Sequence, residues 1–245
     1  MIKGIIFDYG GTIDTDGVHW FELFRIAYSK FMPDVPTDVL REAYIFTERI
    51  LGTENIIQPD DDFSATLLIK TGLQLDFLSR RHGYAVESDK RDRLINYCIN
   101  YVRENIVRNS DTILLALSER FPLVIVSNFY GNMGAVLTEF GLKSYFSNIV
   151  ESKVAGVRKP DPRIFLMGVK ALEALTCGIT PEQTLVVGDS FHKDIVPASS
   201  IGCVTVWLKN TPFGDDPQPA FEPSYTISSL SQLLTLQMLY SEGQS

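Results

Sequence analysis

Short apolar runs that alternate with helical stripes limit most strongly how this chain folds. Ile2 to Phe7 (IKGIIF) reads as a buried parallel strand: short, β-branched and followed closely by Gly-Gly. Leu123 to Val126, Asn148 to Val150, Thr184 to Val187 and Cys203 to Trp207 repeat the pattern. Helices are expected between them: one capped by Asp111 and holding Leu114 and Leu117, one ending near Gly141, and one over Pro162 to Leu175. Tyr225 to Ile227 reads as an edge strand and Leu230 to Leu239 as a last helix. Such alternation predicts an α/β fold, a doubly wound parallel sheet with helices on both faces. Ligands then bind beyond the carboxyl ends of the strands.

The first strand is separated from the others by a long helical stretch. Trp20, Leu23, Phe24, Ala27, Tyr28 and Phe31 make one stripe, and Val39 to Leu51 a second, with Gly52 as its expected stop. A third begins at Phe63, Leu67 and Leu68, and a fourth runs from Leu94 to Ile106. No strand signal stands out there, so residues 14–108 read as an all-α insert. Residues 1–13 and 109–245 read as the core that carries it. The aromatic residues Trp20, Phe24, Tyr28 and Tyr44 lie on the stripes and read as core, with one or two facing the cleft. Arg25, Arg49 and Arg103 read as solvated helix faces.

Composition excludes some partners. The net charge of -8 argues against nucleic acid and anionic membranes, which need basic patches, but leaves room for one small anion. No stretch is long enough to span a bilayer. The apolar run at the N-terminus is too short for a signal peptide, and a cytoplasmic location is expected. Cys98, Cys177 and Cys203 are scattered and odd in number, and read as buried reduced thiols.

Three strands deliver polar residues to one sheet edge. The first ends in Asp8, the second in Ser127-Asn128, and the third in Gly188-Asp189-Ser190; Lys159 in RKPDP joins them from a loop. Each alone has a plain structural explanation, such as a turn that bonds its own backbone. Their order and context together are specific.

FDYGGT, VSN, Lys159 and GDSFHKD, in that order and with a helical insert between the first and second, resemble the four motifs of the haloacid dehalogenase-like superfamily. The resemblance covers the whole chain and implies a Rossmann-like core under a mobile helical lid. It implies Asp8 as a carboxylate nucleophile that forms a covalent aspartyl intermediate. It implies Mg²⁺ held by Asp8, the Gly10 carbonyl and Asp189, since hard oxygen ligands suit that ion. Lys159 is expected to neutralise Asp8 and the phosphoryl oxygens, and Ser127 to donate to the phosphate. The backbone around Gly10, Gly11, Thr12 and Asn128, together with Ser190, is expected to support it. Asp194 either orients Lys159 or a metal-bound water, or is an acid at a helix N-terminus. The implied substrate is a small phosphorylated metabolite.

Position 10 departs from that pattern. Phosphatases of the family carry there an Asp that protonates the leaving oxygen, a contribution of roughly 10²- to 10⁴-fold. Gly10 keeps the carbonyl and loses the acid. Four readings follow: a phosphohydrolase using another proton source, with Asp14, Asp16 and His19 as candidates; a phosphonatase-like enzyme needing a cap lysine among Lys30, Lys70 and Lys90; a haloacid dehalogenase; and a non-catalytic binder. Tyr9 should face away from the site, and Asp189 has no place in a dehalogenase, so the first reading is preferred.

Overall fold

The computed structural model describes residues 1–85, 87–209 and 221–239. Six strands form one parallel sheet: β1 (Gly4–Phe7), β2 (Leu123–Ser127), β3 (Phe146–Glu151), β4 (Thr184–Gly188), β5 (Val204–Leu208) and β6 (Tyr225–Ile227). Their order is β3-β2-β1-β4-β5-β6, which places β1 at the centre with the two strands that carry polar ends on either side.

The strands are apolar on both sides because both faces are covered. Alternate residues enter different cores, as the period of two demands. Ile6, Val124, Val126 and Val186 pack with Ile164, Phe165 and Leu172 of α8 (Arg163–Glu173) on one face. Gly168 allows that helix to come close, since a Cβ there would lie 2.7 Å from Val126. Ile5, Phe7, Ile125, Leu185 and Val187 enter the larger core on the other face, shared with α5 (Asp111–Ser118) and α6 (Met133–Glu139). Two single-turn helices, α7 (Ser152–Ala155) and α9 (Val196–Ser200), follow β3 and precede β5.

Between β1 and β2 lie α1 (Trp20–Phe31), α2 (Thr37–Thr53), α3 (Phe63–His82) and α4 (Ser88–Asn105). No described residue among them belongs to a strand of the sheet. The chain enters and leaves this helical unit at one place. The Ile13 carbonyl accepts from Asn105 Nδ2 at 3.2 Å and from Ser110 Oγ at 2.5 Å, which pins the outgoing segment to the returning one. Three further ties hold the helices over the sheet edge. Lys153 Nζ donates to the Thr53 and Glu54 carbonyls at the end of α2, both at 3.3 Å. Glu139 accepts from Ser64 and pairs with Arg103. Asn132 donates to Asp61 O and Thr66 Oγ1, each at 2.7 Å.

The structure corrects several expectations. Gly52 does not stop α2, which runs one residue further in ordinary helical conformation. A glycine there weakens the helix by about 1 kcal/mol relative to Ala, and the space it leaves is taken by the Arg158 guanidinium. Asp111 does not cap α5. The chain arrives from α4 through a wide turn that is already helical, so no orphan N–H awaits it, and its carboxylate accepts from Tyr145 Oη at 2.7 Å instead. Leu230 to Leu239 is two 3₁₀ turns, Leu230–Thr235 and Gln237–Leu239, which seat Leu230, Leu233 and Leu239 in the core. Cys177 is exposed; Cys98 and Cys203 are buried. Among the described residues no helix is long and apolar enough to cross a membrane.

Candidate active site

Asp8 follows the last residue of β1 in extended conformation, its N–H donating to the Val187 carbonyl of β4 at 2.9 Å. The chain must then turn sharply. Gly11 supplies the turn with a φ of 92°, in the left-handed region that glycine enters freely. A second constraint falls on the same residue: a Cβ there would lie 2.3 Å from Asp189 Oδ2. Gly188 answers the same need for Asp194, whose carboxyl carbon would stand 2.5 Å from an added Cβ. Two glycines thus vacate the volume that two carboxylates occupy.

Lys159 stands between the acids. It is 4% exposed, and its Nζ donates to Asp8 Oδ1 at 2.7 Å and to Asp194 Oδ1 at 2.6 Å. Burial works against its charge, but Asp194 and Asp8 outweigh that and hold its pKa above the ordinary lysine value. Asn128 fixes the backbone beneath it, accepting from Lys159 N at 2.8 Å and donating to Lys159 O at 3.1 Å. Asp194 Oδ2 accepts from Ser190 N at 3.0 Å, so both its oxygens are engaged. Burial raises the Asp194 carboxyl to about 6 despite Lys159.

Asp189 is held differently. Thr12 Oγ1 accepts from its N–H at 3.1 Å and lies 3.4 Å from its Oδ1, and Trp207 Nε1 donates to its carbonyl at 2.9 Å. Ser190 Oγ accepts from Lys193 N at 3.3 Å and steadies the turn. One carboxylate oxygen from each of Asp8, Asp189 and Asp194 lies within 4.8 Å of the others. Burial, followed by the charges of Asp8 and Asp194, pushes the Asp189 carboxyl far above the usual carboxylate range. That crowding is the condition a divalent cation relieves, and the donors are all hard oxygens. The residues fit a magnesium site. Asp194 has both oxygens in short bonds, whereas Asp8 Oδ2 and Asp189 Oδ1 have only the Thr12 hydroxyl, at 3.5 and 3.4 Å.

Asp8, Gly10, Ser127, Asn128, Lys159 and Asp189 line one cleft of about 360 Å³, roofed by the helical unit. The three candidate proton sources separate. Asp16 turns away, accepting from Leu230 N at 2.6 Å and Ser229 Oγ at 2.9 Å. Asp14 is buried behind the site, where its oxygens accept from Gly11 N and from Trp20 Nε1, both at 2.7 Å. Burial raises its carboxyl to about 7. Trp20 covers the place of the missing side chain: a Cβ on Gly10 would sit 3.8 Å from the indole Cδ1. Only His19 of the three lines the cleft. Its Nδ1 accepts from Phe21 N at 3.1 Å, which assigns the neutral ring's proton to Nε2.

Burial, with Lys193, Lys70 and Arg41 nearby, lowers the His19 pKa from 6.5 to about 3. The neutral ring therefore contributes stability that is fully present above about pH 6.5 and is lost as pH falls toward about 3. We expect His19→Gln to flatten the acid limb of a plot of chemical-denaturation free energy against pH in that window, by on the order of a few kcal/mol. An unchanged limb would show that the ring is solvated.

Tyr9 is fully buried, packs edge-on against Phe129 with centroids 5.8 Å apart, and does not line the cleft. None of Lys30, Lys70 and Lys90 lines it either. Lys70 is buried in α3, paired with Glu48, and 5.4 Å from the Trp20 ring centroid. Against burial, the Glu48 charge holds its pKa above the ordinary lysine value. Arg25 pairs with Glu22, and Arg103 with Glu139.

Of the stripe aromatics, Trp20 and Tyr44 face the cleft, whereas Glu48 and Tyr130 had no sequence signal. Tyr44, Glu48 and Gly52 form one face of α2 at four-residue spacing, and Tyr130 Oη donates to Glu48 Oε2 at 2.9 Å. Glu151 was available as a further acid at a strand end. It is 5% exposed and accepts from the Gly131 and Met133 N–H groups, holding the loop that carries Phe129 and Tyr130.

The comparisons agree with this architecture. A family model described as haloacid dehalogenase-like hydrolase matches residues 2–202. The glyceraldehyde 3-phosphate phosphatase of Pyrococcus furiosus is 34% identical over 94 residues, 38% of this chain and 37% of that protein. Haloacid dehalogenase-like hydrolase domain-containing protein 3 of Danio rerio is 36% identical over 109 residues, 44% and 43% of the two chains. The chain thus spans about two fifths of the length of these curated relatives. Among solved structures, the HAD hydrolase YfnB of Bacillus subtilis, bound to magnesium, superposes with a TM-score of 0.59 at 19% identity over 98% of this chain and 99% of that one. A dehalogenase with an intermediate complex gives 0.64 at 18% identity over 96% of each chain. At such identities these two establish the fold alone. The family match runs from the first strand past the Asp189–Asp194 turn, and this chain belongs to the haloacid dehalogenase-like hydrolases.

Proposed function

We propose that the protein is a magnesium-dependent hydrolase of small phosphomonoesters that works through a phosphorylated Asp8. The observation that carries this reading is the buried Lys159 ammonium bridging Asp8 and Asp194, with the Asp189 carboxylate facing them. A pure binding site has no need to place a carboxylate under a phosphate and then neutralise it. Residues 14–108 act in this reading as a cap that closes over the core formed by residues 1–13 and 109–245 and excludes water.

Asp8 attacks phosphorus, and the bond from phosphorus to the ester oxygen breaks; the departing alkoxide takes a proton from water or from the substrate itself. Water then attacks the same phosphorus, the bond to Asp8 breaks, and inorganic phosphate leaves. Lys159 holds Asp8 Oδ1 in place and offers its charge to the phosphoryl oxygens, with Ser127 and the N–H groups of the two loops as further donors. Asp8, the Gly10 carbonyl and Asp189 are the groups assigned to the cation. Magnesium, when bound, supplies the positive charge that lets a carboxylate approach a phosphate dianion. The names of relatives favour this class: besides the glyceraldehyde 3-phosphate phosphatases, a phosphoserine phosphatase of Thermus thermophilus is 31% identical over 99 residues.

The test is phosphate release from a panel of small phosphomonoesters, with magnesium and with a chelator. Release that requires magnesium is expected; no release from any ester would overturn the reading. A second measurement addresses position 10. A Cβ there meets only ordinary contact with Trp20, so a side chain can begin at position 10 without a clash. We expect Gly10→Asp to raise kcat for alkyl phosphates by about tenfold or more, because it restores leaving-group protonation. Aryl phosphates, whose leaving groups need no proton, should change little. Equal effects on both would show that protonation is not limiting.

A further inference from the structure

Arg158 and Lys193 are the cleft cations whose side chains have no ion pair or hydrogen bond among the described residues, and Arg158 is the one that carries a guanidinium fork. It precedes Lys159 in the same loop, is exposed and lines the cleft; its carbonyl accepts from Asp161 N at 3.0 Å, but its guanidinium has no ion pair or hydrogen bond among the described residues. Its guanidinium crosses from the core to the cap. An ideal Cβ on Gly52 would lie 3.0 Å from Arg158 Nη1, so the head group rests where the helix has no side chain. That explains a glycine in a helix whose backbone does not require one. The nearby acid on the same helix face is already satisfied: Glu48 is bonded by Tyr130 and paired with Lys70. Asp8 and Asp194 belong to Lys159. A protein with a net charge of -8 thus keeps in its cleft a guanidinium seated against α2 and without a counter-charge among the described residues.

We infer that Arg158 is a specificity residue that binds a second oxyanion, a carboxylate or a second phosphate, on the alcohol part of the substrate. This rests on the phosphomonoesterase reading and narrows it. A guanidinium presents paired N–H donors in a plane that matches either group. Because the head group contacts α2, the second anion also meets the cap. The substrate class is then a small bis-anionic phosphate ester. The cleft volume of about 360 Å³ suits a molecule of that size.

The test compares three esters that share a glycerol skeleton: 3-phosphoglycerate, glycerol 1,3-bisphosphate and glycerol 3-phosphate. The protein should favour one or both of the first two over the third in kcat/KM. Whichever is favoured identifies the anion as carboxylate or phosphate. In Arg158→Gln that preference should fall by about tenfold or more, the effect of losing hydrogen bonds to a charged group. Arg158→Lys, which keeps the charge and loses the fork, should fall between. Equal losses on all three esters would make Arg158 structural and overturn the proposal, as would a wild-type preference for glycerol 3-phosphate. If no ester is turned over, the phosphatase reading fails, and calorimetry on the intact protein with magnesium decides the subsite separately. Tighter binding of a bis-anionic ester that Arg158→Gln abolishes supports it; equal affinity for all three overturns it.

Discussion

Asp8→Asn should abolish turnover, by at least about four orders of magnitude in kcat, because an amide oxygen cannot act as the carboxylate nucleophile. The fold should survive. Asn is isosteric, Lys159 keeps Asp194 at 2.6 Å, and one member of a crowded acid group loses its charge. Burial and the Asp8 charge are the two largest causes that raise the Asp189 carboxyl, so Asp8→Asn relieves part of that strain. The measurement is phosphate release with magnesium alongside thermal unfolding. Activity within tenfold of wild type would remove Asp8 from its role. A lower melting temperature with lost activity would leave the nucleophile undecided, and mass-spectrometric search for a phosphorylated Asp8 in the wild type then settles it.

Lys159→Met should lose both activity and stability. The ammonium is buried, and its removal leaves the Asp8 and Asp194 carboxylates without their shared partner. Breaking a buried pair in this way costs about 3–5 kcal/mol, and for a chain of this size each kcal/mol is worth roughly 2–4 °C in Tm. The loss should depend on pH with a definite sign. Without Lys159 the Asp194 carboxyl rises further above its present value of about 6. A folded-state pKa above the unfolded one gives stability that is present at low pH and lost as pH rises through the folded value. The variant should therefore lie nearer to wild type at about pH 5 than at about pH 8. A constant difference across that range would mean that Lys159 stabilises by packing alone. Activity should fall at every pH, since proton uptake by the acids does not replace a positive charge on the phosphate.

How much of this was legible before any coordinates depends on what each residue is read against. Strand ends are legible because the strands are buried on both faces: an apolar run stops, and the next polar residue lies at the sheet edge. Asp8, Ser127 and Asp189 follow from that rule, and the structure brings them to one cleft. Lys159 stands out through the motif order. The Asn128 clamp on its backbone does not, because a side chain that bonds a distant main chain leaves no periodic trace. The cap residues fail for a different reason. Tyr44, Glu48 and Gly52 share a helix face, but which face looks into the cleft is set by docking onto the core, and the sequence of one helix carries no record of it. Gly52 shows the limit well. Near the end of a stripe a glycine reads as a stop signal, and only the partner at 3.0 Å reveals another cause. Asp111 and the last 3₁₀ turns miss in the same manner, since neighbouring chain decided their geometry.

The ties at Lys153, Glu139, Asn132 and Tyr130 that fasten the helical roof come from α7, both ends of α6 and the loop after β2, and grip α2, the start of α3 and its preceding loop. Anchors spread so widely hold the roof as one body. In the proposed reading the roof therefore releases phosphate by swinging as one body.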